Sequence, residues 1–263
     1  MGEPLDVEGL LQQVPGFGQC GRCLFSESGS AELCFTCARR TMEPLAVRRC
    51  PVCNRPYPPG ETSCGNVLCN RDDRWFSWNI AISMRTGALR TAINRYKYEE
   101  RWGWALIFGR VIAGFLEEHS ALLGQFGVIT ASPTYVGPGG RTFDHTRRVL
   151  SEAAAEVSPG AVWPFDITGE PVIVKTASTP PLVGNGYRDR RQIAEGPLRD
   201  ALQVTRAEEV RGRSVLVYDD VFTDGLTLNE VARALRLAGA GSVCGITLCR
   251  QPYQGGALTR SGR

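Results

Sequence analysis

Hydrophobic positions follow two different patterns along the chain. Up to about residue 74 they are scattered among cysteines, prolines and glycines, whereas from Trp75 onward they recur at regular intervals. Recurrence at every second residue is typical of a strand, and recurrence at every third or fourth residue is typical of a helix. The regular part alternates between the two, which predicts a parallel α/β sheet with helices on both faces.

The individual elements can be placed from these intervals. Apolar runs bounded by turn residues predict strands, and apolar positions that repeat at helical spacing predict helices. Strands are predicted at residues 80–84, 127–130, 172–174, 213–220 and 242–248. Helices are predicted at residues 89–96, 104–116, 143–157 and 228–237.

Cysteines fill the region before the regular pattern. Eight of the ten cysteines lie between residues 20 and 69, in two sets that repeat after thirty residues. Two Cys-x-x-Cys pairs supply the four thiolates of a tetrahedral zinc site, and because such a site is closed to water it is structural. The second set departs slightly from this Cys-x-x-Cys pattern, since its last pair encloses four residues instead of two. Two structural zinc ions are predicted, one held by Cys20, Cys23, Cys34 and Cys37 and the other by Cys50, Cys53, Cys64 and Cys69.

The same cysteines leave two alternatives open, a disulfide framework and redox-active pairs. Residues 1–15 are acidic and lack the basic start and apolar run of a secretory signal, so we expect a cytoplasmic protein. In that compartment metal ligation is favoured over disulfides. The most apolar stretch, residues 102–130, is interrupted by charged residues, and no membrane association is expected.

Length and charge limit the organisation of the chain. At 263 residues it is long enough for about two domains. We place a double zinc ribbon at residues 16–74, an α/β domain at residues 75–252 and a disordered tail at residues 253–263. The formal net charge of +3 is too small to indicate a nucleic-acid-binding protein from charge alone.

One segment carries most of the chemistry. The apolar strand at 215–218 is followed by Asp219 and Asp220, and a turn with the sequence Thr223-Asp224-Gly225-Leu226-Thr227 then leads into a helix. Ligands of open α/β sheets bind at the carboxyl ends of the strands. Backbone N–H groups at a helix N-terminus bind anions. Two carboxylates for sugar hydroxyls beside an anion-binding turn predict a sugar-phosphate site.

This segment resembles the phosphoribosyl pyrophosphate (PRPP) motif of type I phosphoribosyltransferases, in which apolar residues, two acids and a Thr- or Ser-rich glycine turn follow one another. Together with the paired cysteine sets, nearly the whole chain resembles the ComF/GntX group, in which a double zinc ribbon precedes a phosphoribosyltransferase domain. Further stretches similar to that group are residues 96–98, 132–133, 141–143 and 190–202.

The resemblance implies that the protein binds PRPP together with Mg²⁺ and transfers the phosphoribosyl group to a nitrogen acceptor, with pyrophosphate leaving. Asp219 and Asp220 would bind the ribose, and the turn at 223–227 would bind its phosphate. Arg141 and Arg190 (or the neighbouring Arg191) would stabilise the leaving pyrophosphate, because a guanidinium matches its oxygens. No protein nucleophile is needed if the transition state is an oxocarbenium ion.

Plainer interpretations of these residues remain open. Asp224 stands where the group usually has Thr or Ser, so it either repels the phosphate or caps the following helix. Asp219 and Asp220 could be a solvated strand end, and the turn could be an anion-binding turn that no longer binds a ligand. Lys97, Arg141, Arg190, Arg191 and His145 could be ordinary helix-end or surface groups.

A second function also follows from the resemblance. The protein could be a competence-associated module that binds single-stranded DNA or a helicase and keeps a vestigial PRPP site. Arginines in the ribbon region could contact phosphates, although residues 1–79 carry nine acids against eight arginines. A purely structural scaffold is the third interpretation.

Overall fold

A computed structural model describes residues 42–158, 160–182 and 184–252 of the chain. The first predicted cysteine set, at residues 20–37, lies outside the described residues. The predicted disordered tail at 253–263 lies outside them as well.

The described residues confirm the α/β class and the parallel sheet. Four strands form this sheet in the order β1-β6-β5-β2, with every neighbouring pair parallel, while β3 and β4 form a separate antiparallel ribbon. The strands are β1 (Asn79–Met84), β2 (Val128–Ala131), β3 (Ile173–Lys175), β4 (Leu202–Val204), β5 (Ser214–Phe222) and β6 (Ser242–Arg250).

Helices connect the strands and cover both faces of the sheet. They are α1 (Gly87–Tyr98), α2 (Trp104–Glu118), α3 (Ser120–Leu123), α4 (His145–Glu156), α5 (Tyr187–Ile193), α6 (Arg199–Ala201), α7 (Ala207–Val210) and α8 (Leu226–Leu237). A 3₁₀ helix at Val67–Asn70 and a π-helical turn at Ala194–Leu198 complete the described helical segments.

The alternation of side chains along the central strand explains the layers. Leu216 and Tyr218 belong to the core formed with α1, α2 and α4. Val215 and Val217 belong to the core on the opposite face, formed with α8. Successive strand residues point to opposite faces, so a strand segment covered on both sides must be apolar at every position, as residues 215–218 are.

Two predicted strands differ from expectation in their extent or partners. β5 continues past Asp220 to Phe222, because β6 is long enough to pair with it as far as Arg250. The predicted strand at 172–174 is realised as β3, but it pairs with β4 in the antiparallel ribbon and not with the main sheet. In the stretch 190–202, which is similar to the ComF/GntX group, residues 190–201 are helical and Leu202 begins β4.

The strand order reverses between β2 and β5. On the side of β2 away from β5, Ile129 forms a parallel bridge with Phe165. The chain after β2 therefore continues on the side of β2 that faces away from β5. From β5 it moves in the opposite direction, to β6. Where the order reverses in this way, the connections leave to opposite faces and a ligand crevice opens at the carboxyl ends of the strands.

The second cysteine set packs directly against the sheet. The Val52 carbonyl accepts a hydrogen bond from the Asn79 N–H at 2.8 Å, and Asn54 Oδ1 accepts one from the Ala81 N–H at 2.8 Å. Cys50, Cys53 and Cys64 share the core on the α8 face. Within the described ranges, none of the helices combines the length and apolar character needed to cross a membrane.

Candidate functional site

A cavity of about 680 Å³ opens at the carboxyl end of β5. This volume lies within the range of small-molecule sites. Most of the residues predicted for a sugar-phosphate site are brought together here, and those that line the cavity are Asp219, Asp220, Thr223, Asp224, Gly225, Thr227 and Arg190. Leu226 is buried below the turn, with only 2% of its surface exposed.

Asp220 forms a buried ion pair. Only 3% of the residue is exposed, and its Oδ2 lies 2.6 Å from the Lys97 Nζ and 3.7 Å from the His145 Nε2. Burial alone would raise the pKa of Asp220, but the Lys97 ammonium outweighs it and holds that pKa below its usual value. Burial, followed by the charge of Lys97, lowers the pKa of His145 to about 3, so this imidazole is neutral at pH 7.

Asp219 is in the opposite electrostatic state. Its Oδ1 accepts a hydrogen bond from the Asp220 N–H at 2.8 Å. Burial, together with the neighbouring Asp220 charge, raises the pKa of Asp219 to about 7. The site therefore presents one permanently charged carboxylate and one carboxyl group that titrates near neutral pH.

The turn after β5 requires its glycine. Gly225 has φ +90°, a conformation that side chains disfavour, and a Cβ there would lie 2.6 Å from the Phe222 ring. It directly precedes α8, whose first turn faces the cavity through Thr227. The glycine allows the chain to enter the helix while its backbone stays close to the cavity.

The carboxylate of Asp224 makes two contacts. Its Oδ1 accepts a hydrogen bond from the Leu226 N–H at 3.1 Å, and its Oδ2 lies 2.8 Å from the Arg190 Nε. The residue therefore binds the start of α8, and the guanidinium offsets its negative charge. This arrangement removes much of the repulsion that a bare carboxylate would exert on a phosphate.

The two predicted arginines lie in different places. Arg190 lines the cavity and also donates from Nη1 to the Asn185 carbonyl at 2.9 Å, whereas its neighbour Arg191 pairs with Glu195 at the surface. Arg141 lies beside the cavity and does not line it. It donates from Nη1 to the Lys97 carbonyl at 3.2 Å and stacks 4.5 Å from the centre of the Tyr98 ring.

Sequence reasoning missed the contribution of the strand next to β5. Thr247 and Arg250 from β6, with Gln251 and Arg85, complete the cavity wall. Arg85 donates from Nη1 to Gln251 Oε1 at 2.7 Å. Since β6 is parallel to β5, its carboxyl end must lie at the same edge of the sheet. The polar residues at the end of the apolar run of β6 are therefore the sequence feature from which its contribution to the cavity could have been predicted.

The second cysteine set forms a compact centre. Its four Sγ atoms lie within 4.8 Å of one another, and Cys53 Sγ and Cys64 Sγ are 3.7 Å apart. Tetrahedral zinc with Zn–S bonds of about 2.3 Å separates sulfurs by about 3.8 Å, whereas a disulfide joins them at about 2.0 Å. The four thiols are free, and their geometry fits a zinc ion.

Local structure explains the irregular spacing of the last pair. The residues between Cys64 and Cys69 enter the 3₁₀ helix at Val67–Asn70, which turns Cys69 back to the other ligands. Asn66 caps this helix by accepting a hydrogen bond from the Leu68 N–H at 3.3 Å. The Asn66 N–H also lies 3.4 Å from Cys64 Sγ, a contact that would stabilise a thiolate.

No model of a known protein family matches the chain, and no curated protein matches it. The described geometry and the sequence motifs are therefore the basis for assigning a function.

Proposed function

We propose that this protein binds phosphoribosyl pyrophosphate with Mg²⁺ at the carboxyl end of β5 and transfers the phosphoribosyl group to a nitrogen acceptor, as a member of the ComF/GntX group. The observation that carries the proposal is the cavity at the carboxyl end of β5, which joins Asp219, Asp220 and the turn at 223–227. Its position, its acids and its anion-binding turn are the three features that such a ligand needs.

The turn and α8 supply the phosphate subsite of the proposal. Backbone N–H groups at the start of a helix of three turns carry a partial positive charge. Gly225 and Thr227 line the cavity there, so amide and hydroxyl donors are available to a 5-phosphate. Arg190 adds a positive charge on the same wall.

The paired acids supply the ribose subsite. Asp220 keeps its negative charge while bound to Lys97, and a carboxylate has further lone pairs for the ribose hydroxyls. Mg²⁺ would be held chiefly by oxygens of the substrate, and Asp219 is the carboxyl group of the cavity that could bind it without first losing a cation. The metal would neutralise negative charge on the leaving pyrophosphate.

The proposed reaction requires the protein to position the reactants and to stabilise the charges that develop on them. In the proposed reaction the bond between the anomeric carbon and the pyrophosphate oxygen breaks, the acceptor nitrogen bonds to that carbon and loses its proton to solvent, and pyrophosphate leaves. Asp219 and Asp220 would stabilise the positive charge that develops on the sugar, because both carboxyl groups would lie beside the bound ribose. The cations of the cavity would stabilise the departing anion.

Isothermal titration of the full chain with Mg-PRPP, and separately with ribose 5-phosphate, tests this proposal. We expect one binding site for each ligand. Asp219→Asn should weaken binding at least about tenfold, because hydrogen bonds to a charged group contribute about 1.5–3 kcal/mol. Asp200→Asn, at an exposed acid of α6, is the matched control and should bind normally. Absence of binding by the unaltered chain at millimolar ligand would contradict the proposal.

One observation favours the second function, binding of single-stranded nucleic acid. Tyr98 and Trp102 are 62% and 49% exposed, and the guanidinium groups of Arg141 and Arg148 stack on their rings. Exposed rings with nearby arginines can stack bases and contact phosphates. Trp102→Ala should weaken a salt-dependent shift of single-stranded DNA, and the absence of any shift at low salt would exclude this function.

A further inference from the structure

The cysteine centre contributes directly to the wall of the cavity. Arg55, Gly65, Asn66 and Val67 all lie within the second cysteine set, between Cys53 and Cys69, and all four line the cavity. A structural zinc ribbon that served only as a neighbouring domain would not need to face the ligand. The two sites therefore share a surface as well as a hydrophobic core.

A hydrogen bond joins the centre to the turn that follows β5. Asn66 Nδ2 donates to the Asp224 carbonyl at 3.0 Å, and the Asn66 N–H lies 3.4 Å from Cys64 Sγ. One residue thus connects a predicted zinc ligand to the backbone of the phosphate subsite.

Arg250 makes a second connection that is independent of Asn66. Its Nη1 donates to the Thr223 carbonyl at 2.7 Å and to the Phe222 carbonyl at 3.3 Å, while its Nη2 lies 3.7 Å from Cys53 Sγ. Only 3% of this arginine is exposed. A buried guanidinium needs negative partners, and four thiolates around one Zn²⁺ carry a net charge of −2.

We propose that the centre formed by Cys50, Cys53, Cys64 and Cys69 holds the turn at 223–227 in its ligand-binding conformation, so that zinc and a sugar phosphate bind cooperatively. Asn66 and Arg250 are the positioning residues. The part that concerns the sugar phosphate rests on the proposed function. Thermodynamic linkage requires the effect to be reciprocal: each ligand raises the affinity of the other by the same factor.

Binding measurements on the full chain test the coupling, with zinc alone and ribose 5-phosphate as the probes. We expect zinc to strengthen ribose 5-phosphate binding about tenfold, and saturating ribose 5-phosphate to strengthen zinc binding equally in a chelator competition. A chain in which Cys20, Cys23, Cys34 and Cys37 are changed to Ser should keep the effect. Equal sugar-phosphate affinity with and without zinc would overturn the proposal.

Hydrogen exchange distinguishes a failure of this proposal from a failure of the proposed function. Zinc loading should slow exchange of the backbone N–H groups at residues 222–228 even without any sugar phosphate. Slowed exchange in a protein that binds no ribose 5-phosphate would support the effect of the cysteine centre on the turn and contradict the proposed function. Unchanged exchange at these residues, despite zinc binding, would contradict the coupling.

Variants that keep the metal make the test independent of zinc removal. Arg250→Gln and Asn66→Ser should still bind zinc, since neither is a ligand, but the turn should exchange faster and the reciprocal effect should fall. Arg236→Gln is the matched control, because Arg236 also donates to backbone carbonyls but lies at the far end of α8. In the cobalt-substituted protein, ribose 5-phosphate should shift the thiolate–cobalt absorption. An unaltered spectrum and an unaltered coupling in Arg250→Gln would overturn the proposed connection.

Discussion

At the scale of single residues, two adjacent carboxyl groups of β5 differ because their neighbours differ. Asp220 has Lys97 at 2.6 Å, whereas Asp219 has its ionised neighbour beside it and no ion pair with a described residue within 4.0 Å. The pair illustrates how one buried cation can divide two identical side chains into a charged acceptor and a titrating group.

The raised pKa of Asp219 predicts a pH-dependent stability. Its value of about 7 lies above the usual 3.8, so the folded state favours the protonated form. The resulting stabilisation is complete below the usual pKa and is lost as the pH rises through about 7. Urea unfolding at pH 5 and pH 8 should therefore show Asp219→Asn gaining stability relative to the unaltered chain at the higher pH. A stability difference between Asp219→Asn and the unaltered chain that is the same at pH 5 and pH 8 would contradict this assignment.

The ion pair between Lys97 and Asp220 predicts a large effect of truncation. Their side chains are only 16% and 5% exposed, so Lys97→Met leaves a buried carboxylate without its cation. Such a loss costs about 3–5 kcal/mol of unfolding free energy. Adding Asp220→Asn should restore part of it, because the uncompensated charge is gone.

Arg213→Gln is the control for that measurement. Arg213 and Glu209 form a pair whose side chains are 49% and 43% exposed. An exposed pair contributes about 0–1 kcal/mol. Equal losses in Lys97→Met and Arg213→Gln would mean that the Lys97 contact does not stabilise the site.

At the scale of elements, the turn between β5 and α8 determines whether a phosphate can be bound. Gly225 and Gly212 both have positive φ, at +90° and +73°, but only Gly225 has a ring against the position of a Cβ. Gly212→Ala should cost about 1–2 kcal/mol from backbone strain. Gly225→Ala should cost more, because the Phe222 ring must also move, and it should weaken ribose 5-phosphate binding. Equal stability of the two variants would show that the ring contact is unimportant.

Elements with strong apolar periodicity could be predicted from the sequence, whereas the segment before β5 could not. β5 and β6 were evident because both faces are buried and nearly every position is apolar. Residues 187–210 form three short helices, a π-helical turn and β4, and they alternate arginines with acids and contain Pro197. Their conformation depends on contacts with α8 and the turn, such as Arg199 with Glu230 and Arg190 with Asp224.

The candidate site could be predicted only in part for a related reason. Asp219, Asp220 and the turn are contiguous in sequence, so local reasoning finds them. Arg250, Arg85 and Asn66 reach the same cavity through the sheet order and through the packing of the cysteine set. Pairings between distant segments leave no local signal, and a register between strands cannot be inferred from either strand alone.

At the scale of the whole molecule, the described cysteine centre is part of the hydrophobic core on the α8 face of the sheet. Cys50, Cys53 and Cys64 pack in the same cluster as Val215 and Val217 of β5. Zinc bound to such a centre stabilises the folded chain by mass action. Its contribution should therefore extend beyond the ribbon to the sheet.

The number of zinc ions tests this organisation. Mass spectrometry of the full chain under non-denaturing conditions should find two ions, one for each cysteine set. Changing Cys20, Cys23, Cys34 and Cys37 to Ser should leave one ion. A zinc-free chain, or one that keeps two ions after this change, would contradict the assignment of the ligands.

A crystal structure of the full chain with Mg-PRPP or ribose 5-phosphate would show whether the turn at 223–227 and the two acids of β5 bind the ligand. We expect a phosphate within hydrogen-bonding distance of the backbone N–H groups at residues 223–227, with ribose hydroxyls on Asp219 and Asp220. Density for the ligand elsewhere, or an empty cavity at this edge of the sheet at millimolar ligand, would contradict it.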